Sequence, residues 1–210
     1  MANLTDLTSK EFLTELASAA PAPGGGGGAA MAGALAAALS SMVCNLTLGK
    51  ERFAAQAPEV ESVLVKAERA RERLLELVQE DAAVFNSFMS CYKLPKATEE
   101  EKAARTAAIR AAAKKAAEVP LAIARESFAV LELADELVVC GNPGVITDGA
   151  CSGLLARAAL RCAEYNVRIN LGLTKDAEWN AQVQAELEAM LTQAEALEAK
   201  LLVVTDKALA

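Results

Sequence analysis

An all-α fold is predicted for this chain from three features of its sequence. Hydrophobic residues fill 53% of the 210 positions but aromatics only 4%; much of the remainder is alanine, the strongest helix former and small enough for close helix packing. Alternating β-branched runs, the mark of half-buried strands, are nearly absent. Apolar residues instead recur at steps of three and four, as in Val60, Val63 or Leu64, Ala67, Leu74, Leu77 or Val78, Phe85 and Phe88, which defines one inward helical face. No Pro/Ser-rich linker or break in composition divides the chain, so residues 1–210 are expected to form one domain, a helical bundle with long, partly kinked helices.

The first helix is predicted to open near Thr8, where Thr8 and Glu11 fit a capping box. It turns Phe12, Leu13, Leu16 and Ala17 inward, and Pro21 and Pro23 stop it. The stretch PAPGGGGGAAMAGALAAALSSMVCNLT, residues 21–47, then organises the rest. Without β-carbons, Gly24 to Gly28 allow left-handed conformations and close approach to a ligand. The helix they launch leaves first-turn N–H groups unpaired, a ready site for an anion or polar ligand. A flexible linker is the competing reading of the glycines. Residues 29–48 carry no charge and reach transmembrane length. Alanine, glycine, two serines, Asn45 and Thr47 make them weakly hydrophobic, which favours a buried bundle helix ending at Gly49.

A third helix is expected from near Pro58, a good first-turn residue, to Cys91 or beyond. Thr98 and Glu101 form a second capping box and open a fourth. Pro120 removes an N–H and must kink or split it, leaving 121–138 as a possible separate element. The polar, glycine-containing run Cys140 to Asp148 interrupts the helical text. A fifth helix is predicted over about 149–170 and a sixth over about 176–207, amphipathic through Val183, Leu187, Met190, Leu191, Ala194, Leu197 and Leu201.

The charge balance narrows function. A net charge of −7 and a pI near 4.9 argue against nucleic acid, which needs a basic surface. Five cysteines, an odd number without a CxxC pair, indicate neither a disulfide framework nor a zinc cluster, and the N-terminal MANLTDLTSKEF lacks a signal-peptide pattern. The expectation is a reduced, cytoplasmic protein that uses no metal or redox cofactor and enters no membrane, its cysteines serving as small packing residues. Histidine is absent altogether. Ser-His-Asp and Cys-His constellations are thereby excluded, and acid–base chemistry falls to carboxylates, Lys, Cys or Tyr.

Asp81 is the sharpest candidate. It falls on the inward face between Val78 and Phe85, where an apolar residue is expected. A carboxylate there must be paired, protonated or put to use, and desolvation raises its pKa toward a useful acid or base. Asp148, after a Pro-Gly loop, fits an N-cap as well as a second catalytic carboxylate. Asn166 and Asn170 share the fifth helix's face with Leu155, Ala159 and Cys162. Together with Asn45 and Asn142 they suit a flat heterocycle with donors and acceptors along one edge, or serve as core and turn amides. Lys50, just past the central helix, either complements its C-terminus or meets an anionic group.

The ordered series PAPGGGGGAAMAGALAAALSSMVCNLTLGK, EDAAVF, AAEVPLAIA, GNPGVITDGA and NVRINL resembles the cyclodeaminase domain of formiminotransferase-cyclodeaminase and its stand-alone bacterial relatives, the methenyltetrahydrofolate cyclohydrolases. The likeness covers nearly the whole chain. It implies an all-helical homodimer acting on a one-carbon derivative of tetrahydrofolate. The pattern is matched at Gly24, Gly25, Gly26, Asn45, Lys50, Asp81, Gly141, Asn142, Asp148, Asn166 and Asn170. The chain departs from it at Gly27 and Gly28, where relatives carry a serine or alanine and then a bulkier residue, and at Pro143-Gly144. Carried over with the likeness, Asp81 is the expected general base with Asp148 as a second carboxylate. Asn45, Asn142, Asn166 and Asn170 would bind the pterin and Lys50 the anionic tail, with Gly24, Gly25 and Gly26 giving the substrate close approach and free N–H groups. With no formiminotransferase half in the sequence, the hydrolytic reaction is the expected one. Cyclodeamination is the alternative within the family, and a non-catalytic helical dimeric scaffold the alternative of another class.

Overall fold

The structure, a computed structural model, describes residues 3–210. It contains six α-helices: α1 (Ser9–Leu16), α2 (Gly25–Asn45), α3 (Ala57–Cys91), α4 (Glu99–Cys140), α5 (Ile146–Thr174) and α6 (Ala177–Leu209). Three short 3-10 turns accompany them, at Leu4–Asp6, Glu51–Phe53 and Pro143–Val145, and the described residues form no strand. The all-α prediction holds. Both predicted capping boxes are present, Thr8 with Glu11 at α1 and Thr98 with Glu101 at α4, each satisfying first-turn N–H groups that the helix cannot. Asp176 caps α6 by accepting from the Trp179 N–H.

The long helices alternate in direction around α2. Gly33 lies against Leu74 of α3 and Ser127 of α4, while the Ser152 hydroxyl of α5 donates to the Ala36 carbonyl over 2.7 Å and lies 2.8 Å from the Ser40 hydroxyl. Gly25, one end of α2, approaches Asn166 near the end of α5. The α2 and α5 helices therefore run antiparallel. α6 lies along α4, tied by Arg125 to Glu186 and by Lys200 to Asp135.

By length and composition α2 could cross a membrane, but it is packed between α3, α4 and α5, burying Ala29, Ala30, Ala34, Ala36, Ala37, Val43 and Cys44. Small side chains are what let three helices close on it.

Several expectations change. Helix α2 ends at Asn45, and Gly49 follows with φ +74 as a left-handed turn residue. Helix α4 is not split: it passes through Pro120 without a break. Pro120 cannot donate to the Ala116 carbonyl four residues back. Asn170 of α5 replaces that donor, its Nδ2 reaching the Ala116 carbonyl at 3.1 Å. Helix α5 starts three residues early, so Asp148 sits in its first turn and Val145 takes the N-cap position. Of the cysteines, Cys44 and Cys140 are buried packing residues, but Cys151 and Cys162 are exposed.

Candidate active site

A cavity of about 280 Å³ opens where the start of α2 meets α3, α4 and α5. Pro21, Ala22 and Gly24 to Gly26 form one wall. Asp81, Val84, Phe85 and Phe88 come from α3, Ala116 and Pro120 from α4, and Asn166, Ile169, Asn170 and Leu173 from α5. Six residues proposed from the sequence thus converge here: Gly24, Gly25, Gly26, Asp81, Asn166 and Asn170.

The glycines act by absence of volume. Four of the five, Gly25 to Gly28, belong to α2 itself, and none has a positive φ. Their use is close approach rather than left-handed geometry. A methyl on Gly26 would overlap the Asp81 carboxylate, 2.7 Å from Cγ and 2.8 Å from Oδ2. The first turn of α2 therefore lies directly on Asp81, with the Gly27 N–H near enough to its carboxylate to favour the charged form.

Two opposed effects act on that acid. Burial, the larger, raises its pKa above the ordinary value of 3.8, while the Gly27 N–H lowers it. The positive end of the α2 dipole also favours the anion. The result is a carboxyl group that keeps its proton to higher pH than a solvated aspartate does.

The Asn170 amide has spent both N–H groups of its NH2, and the Asn166 amide one of its two. Asn166 Nδ2 donates to the Cys162 carbonyl at 2.8 Å, and Asn170 Nδ2 donates to the Asn166 and Ala116 carbonyls at 2.8 and 3.1 Å. Neither Oδ1 is hydrogen-bonded among the described residues. With Asp81 the cavity therefore offers three acceptors between apolar walls, matched to a flat ligand rich in donors or carrying positive charge.

The remaining proposed residues lie elsewhere in the chain. Asn45 ends α2 and Lys50 precedes the next 3-10 turn; both are exposed. Asn142 is buried and held by three hydrogen bonds: its Nδ2 donates to the Leu46 carbonyl, its Oδ1 accepts from Gly144 N–H, and its N–H donates to Thr47 Oγ1. These bonds pin the loop before α5 to the end of α2 and bring Asn45, Lys50, Asn142 and Asp148 to the same end of the helix pair. That end is the length of α2, about 30 Å, from the cavity. A single chain does not unite the two groups.

Sequence reasoning passed over Ala22, Val84, Ala116, Ile169 and Leu173, and treated Pro21 as a helix stop and Phe85, Phe88 and Pro120 as core or kink residues. Phe85 retains 37% exposure despite its place on the inward stripe, which no periodicity reveals.

Comparison with known proteins matches the description formiminotransferase-cyclodeaminase over residues 8–207. The chain belongs to this family. It is 43% identical over 190 residues to the methenyltetrahydrofolate cyclohydrolase of Methylorubrum extorquens, covering 90% of this chain and 91% of that one. It is 32% identical over 185 residues to the formimidoyltransferase-cyclodeaminase of Sus scrofa, covering 88% of this chain but 34% of that longer protein. Its fold is similar to the crystal structure of formiminotetrahydrofolate cyclodeaminase from Thermotoga maritima, with TM-score 0.87, 29% identity, and coverage of 97% and 98%.

Proposed function

We propose that this protein is a methenyltetrahydrofolate cyclohydrolase, a homodimeric enzyme of folate one-carbon metabolism working in a reducing cytoplasm. The observation that carries the reading is the half-buried Asp81 carboxylate, set against a helix N-terminus in a cavity it shares with two amide acceptors. The substrate is a methenyl carbon held between two folate nitrogens as a cationic amidinium. An anion 3–4 Å away would attract it and favour its approach to water. The relative that is 43% identical over nearly the full length of both chains supports the hydrolytic assignment.

In the proposed reaction, Asp81 takes a proton from water as the water oxygen bonds to the methenyl carbon, giving a neutral tetrahedral carbinolamine. The carbon–nitrogen bond to one folate nitrogen then breaks, its electron pair staying on nitrogen, and Asp81 returns the proton there. The hydroxyl proton leaves as the formyl C=O forms. The net change is methenyl cation plus water to formyltetrahydrofolate plus one proton. Oδ1 of Asn166 and Asn170 would accept from the N–H and NH2 groups of the pterin, and Phe85 and Phe88 would flank its face. Lys50 suits the anionic glutamate tail and Asp148 a supporting carboxylate.

Formiminotetrahydrofolate cyclodeamination passes through a tetrahedral carbon between the same nitrogens, and the fold likeness to the Thermotoga maritima cyclodeaminase favours it as the second reading. Purified protein should accelerate loss of the methenyl absorbance over a buffer blank. Ammonia release from formiminotetrahydrofolate without methenyl hydrolysis would replace the first reading with the second.

A further inference from the structure

The cavity continues past Phe88. Phe88 and Val84, which line it, also form one side of an open groove of about 200 Å³ between α3 and α4, completed by Ser87, Ala111, Ala112 and Lys115. Ala116 belongs to the cavity and Ala111 to the groove, five residues apart on α4, or about 7.5 Å along its axis. Alanine at positions 111, 112 and 116 leaves a smooth floor, and Phe88 supplies a flat wall. That wall is held in place. Tyr92 meets Phe88 edge-on with ring centroids 5.4 Å apart, and Arg105 lies over the Tyr92 ring at 5.6 Å and donates to the Tyr92 carbonyl at 3.1 Å.

The two adjacent lysines of α4 differ in what they meet. Lys114 is committed to the fold: its ammonium pairs with Asp176 at 2.9 Å and lies 4.8 Å over the Trp179 ring. Lys115 lines the groove, is exposed, and forms no ion pair among the described residues, not even with Glu118 one turn on. Helical side chains lean toward the helix N-terminus, so Lys115 reaches back along Ala111 and Ala112, away from the cavity. The groove is therefore apolar beside the cavity and positive where it leaves it, in a chain whose net charge of −7 otherwise disfavours anions.

The ligand proposed above has its parts in the same order. A fused ring carries the reacting carbon, an aminobenzoyl ring follows, and a glutamate with two carboxylates ends it. At about 280 Å³ the cavity lies just below the roughly 300–1,000 Å³ of sites that enclose a drug-sized ligand, and with the groove it comes within that range. Lys50 stands about 30 Å from the cavity of its own chain, whereas Lys115 borders its extension.

We infer that the α3–α4 groove is the subsite for the outer half of the substrate. The aminobenzoyl ring lies on Ala111 and Ala112 against Phe88, and a glutamate carboxylate pairs with Lys115, which selects ligands that end in an anion. The inference rests on the folate reading above. Lys115 touches no reacting atom, so its effect belongs in KM rather than kcat.

Calorimetric titration of the full chain tests this with two ligands, 5-formyltetrahydrofolate and its glutamate dimethyl ester, which keeps both rings but has an uncharged tail. Lys115→Ala should raise the Kd of the first about three- to fivefold, the scale of one exposed charge pair, and Lys115→Glu should raise it further; added salt should shrink both differences. The ester should bind wild type and both variants alike. Ala111→Trp, at an exposed position, should weaken both ligands by filling the space of the ring they share. Equal weakening of both ligands by Lys115→Ala, or no effect on either, overturns the pairing, as does a charge dependence that Lys50→Ala removes and Lys115→Ala does not. Unchanged binding to Ala111→Trp overturns the placement of the ring. If neither ligand binds wild type, the folate reading falls and the subsite with it. Binding with the expected dependence on Lys115 but without methenyl hydrolysis overturns the proposed reaction and leaves the subsite standing.

Discussion

Asp81 is held in a destabilising position that its proposed chemistry requires. Burial raises its pKa, so the native state holds the proton more tightly than the unfolded chain does, and ionised Asp81 opposes folding. Below the unfolded carboxylate value both states are protonated and there is no penalty; as pH rises through the higher native value, stability is lost. Asp81→Asn should therefore unfold at a higher temperature than wild type near neutral pH, the gain disappearing below about pH 4, as thermal melts across pH will report. The same change should lower kcat by about 10²- to 10⁴-fold, the scale of a general base. In the wild type, kcat/KM should fall on the acid side through a pKa above that of ordinary aspartate. Gly26 gives a complementary separation. Gly26→Ala adds a good helix former to α2 but pushes the Asp81 carboxylate aside. Steady-state kinetics should show at least about a tenfold loss in kcat while the melting temperature is held or raised.

Among the elements, α4 and α5 are joined by an exchange of hydrogen bonds that sequence periodicity does not register. Pro120 leaves the Ala116 carbonyl without its helical donor, and Asn170 supplies one from α5 inside the cavity. Asn170→Ala should thus destabilise by about 1 kcal/mol, the scale of losing one hydrogen bond at a partly buried carbonyl. In a Pro120→Ala background, where an N–H four residues on can reach Ala116, the same change should cost appreciably less. Urea unfolding of the four proteins of this double-mutant cycle measures the coupling, and strict additivity would refute the exchange. Asn170 so has a structural use of its Nδ2 and a free Oδ1 for ligand. The sequence placed Asn166 and Asn170 on one face because helical spacing is local. It could not say that the Asn170 NH2 was already committed, since the Ala116 carbonyl it reaches is set by helix packing and by the proline on another helix.

At the scale of the whole molecule, ligand and fold are linked through mass action. A folate analogue binding only the native protein should raise stability by about 2.7 kcal/mol at one hundred times its Kd, and a thermal-shift titration should show the midpoint climbing with ligand. Glutamate alone, lacking the ring, should leave it unchanged.

Much of this was legible from the chain alone. Capping boxes, helix periodicity and the absence of strand patterns depend on neighbours within a few residues, so the sequence determined the helices, the lack of histidine chemistry and the anomaly at Asp81 on an inward stripe. Three-dimensional packing decided what spacing along a chain cannot: that the glycines lie inside a helix and make room for Asp81, that Pro120 is tolerated through Asn170, and that Asn45, Lys50, Asn142 and Asp148 stand a helix length from the cavity. Antiparallel helices bring positions 25 and 166 together and hold 25 and 45 apart, because the rise per residue is fixed while the partner across the groove is chosen by the fit of side chains.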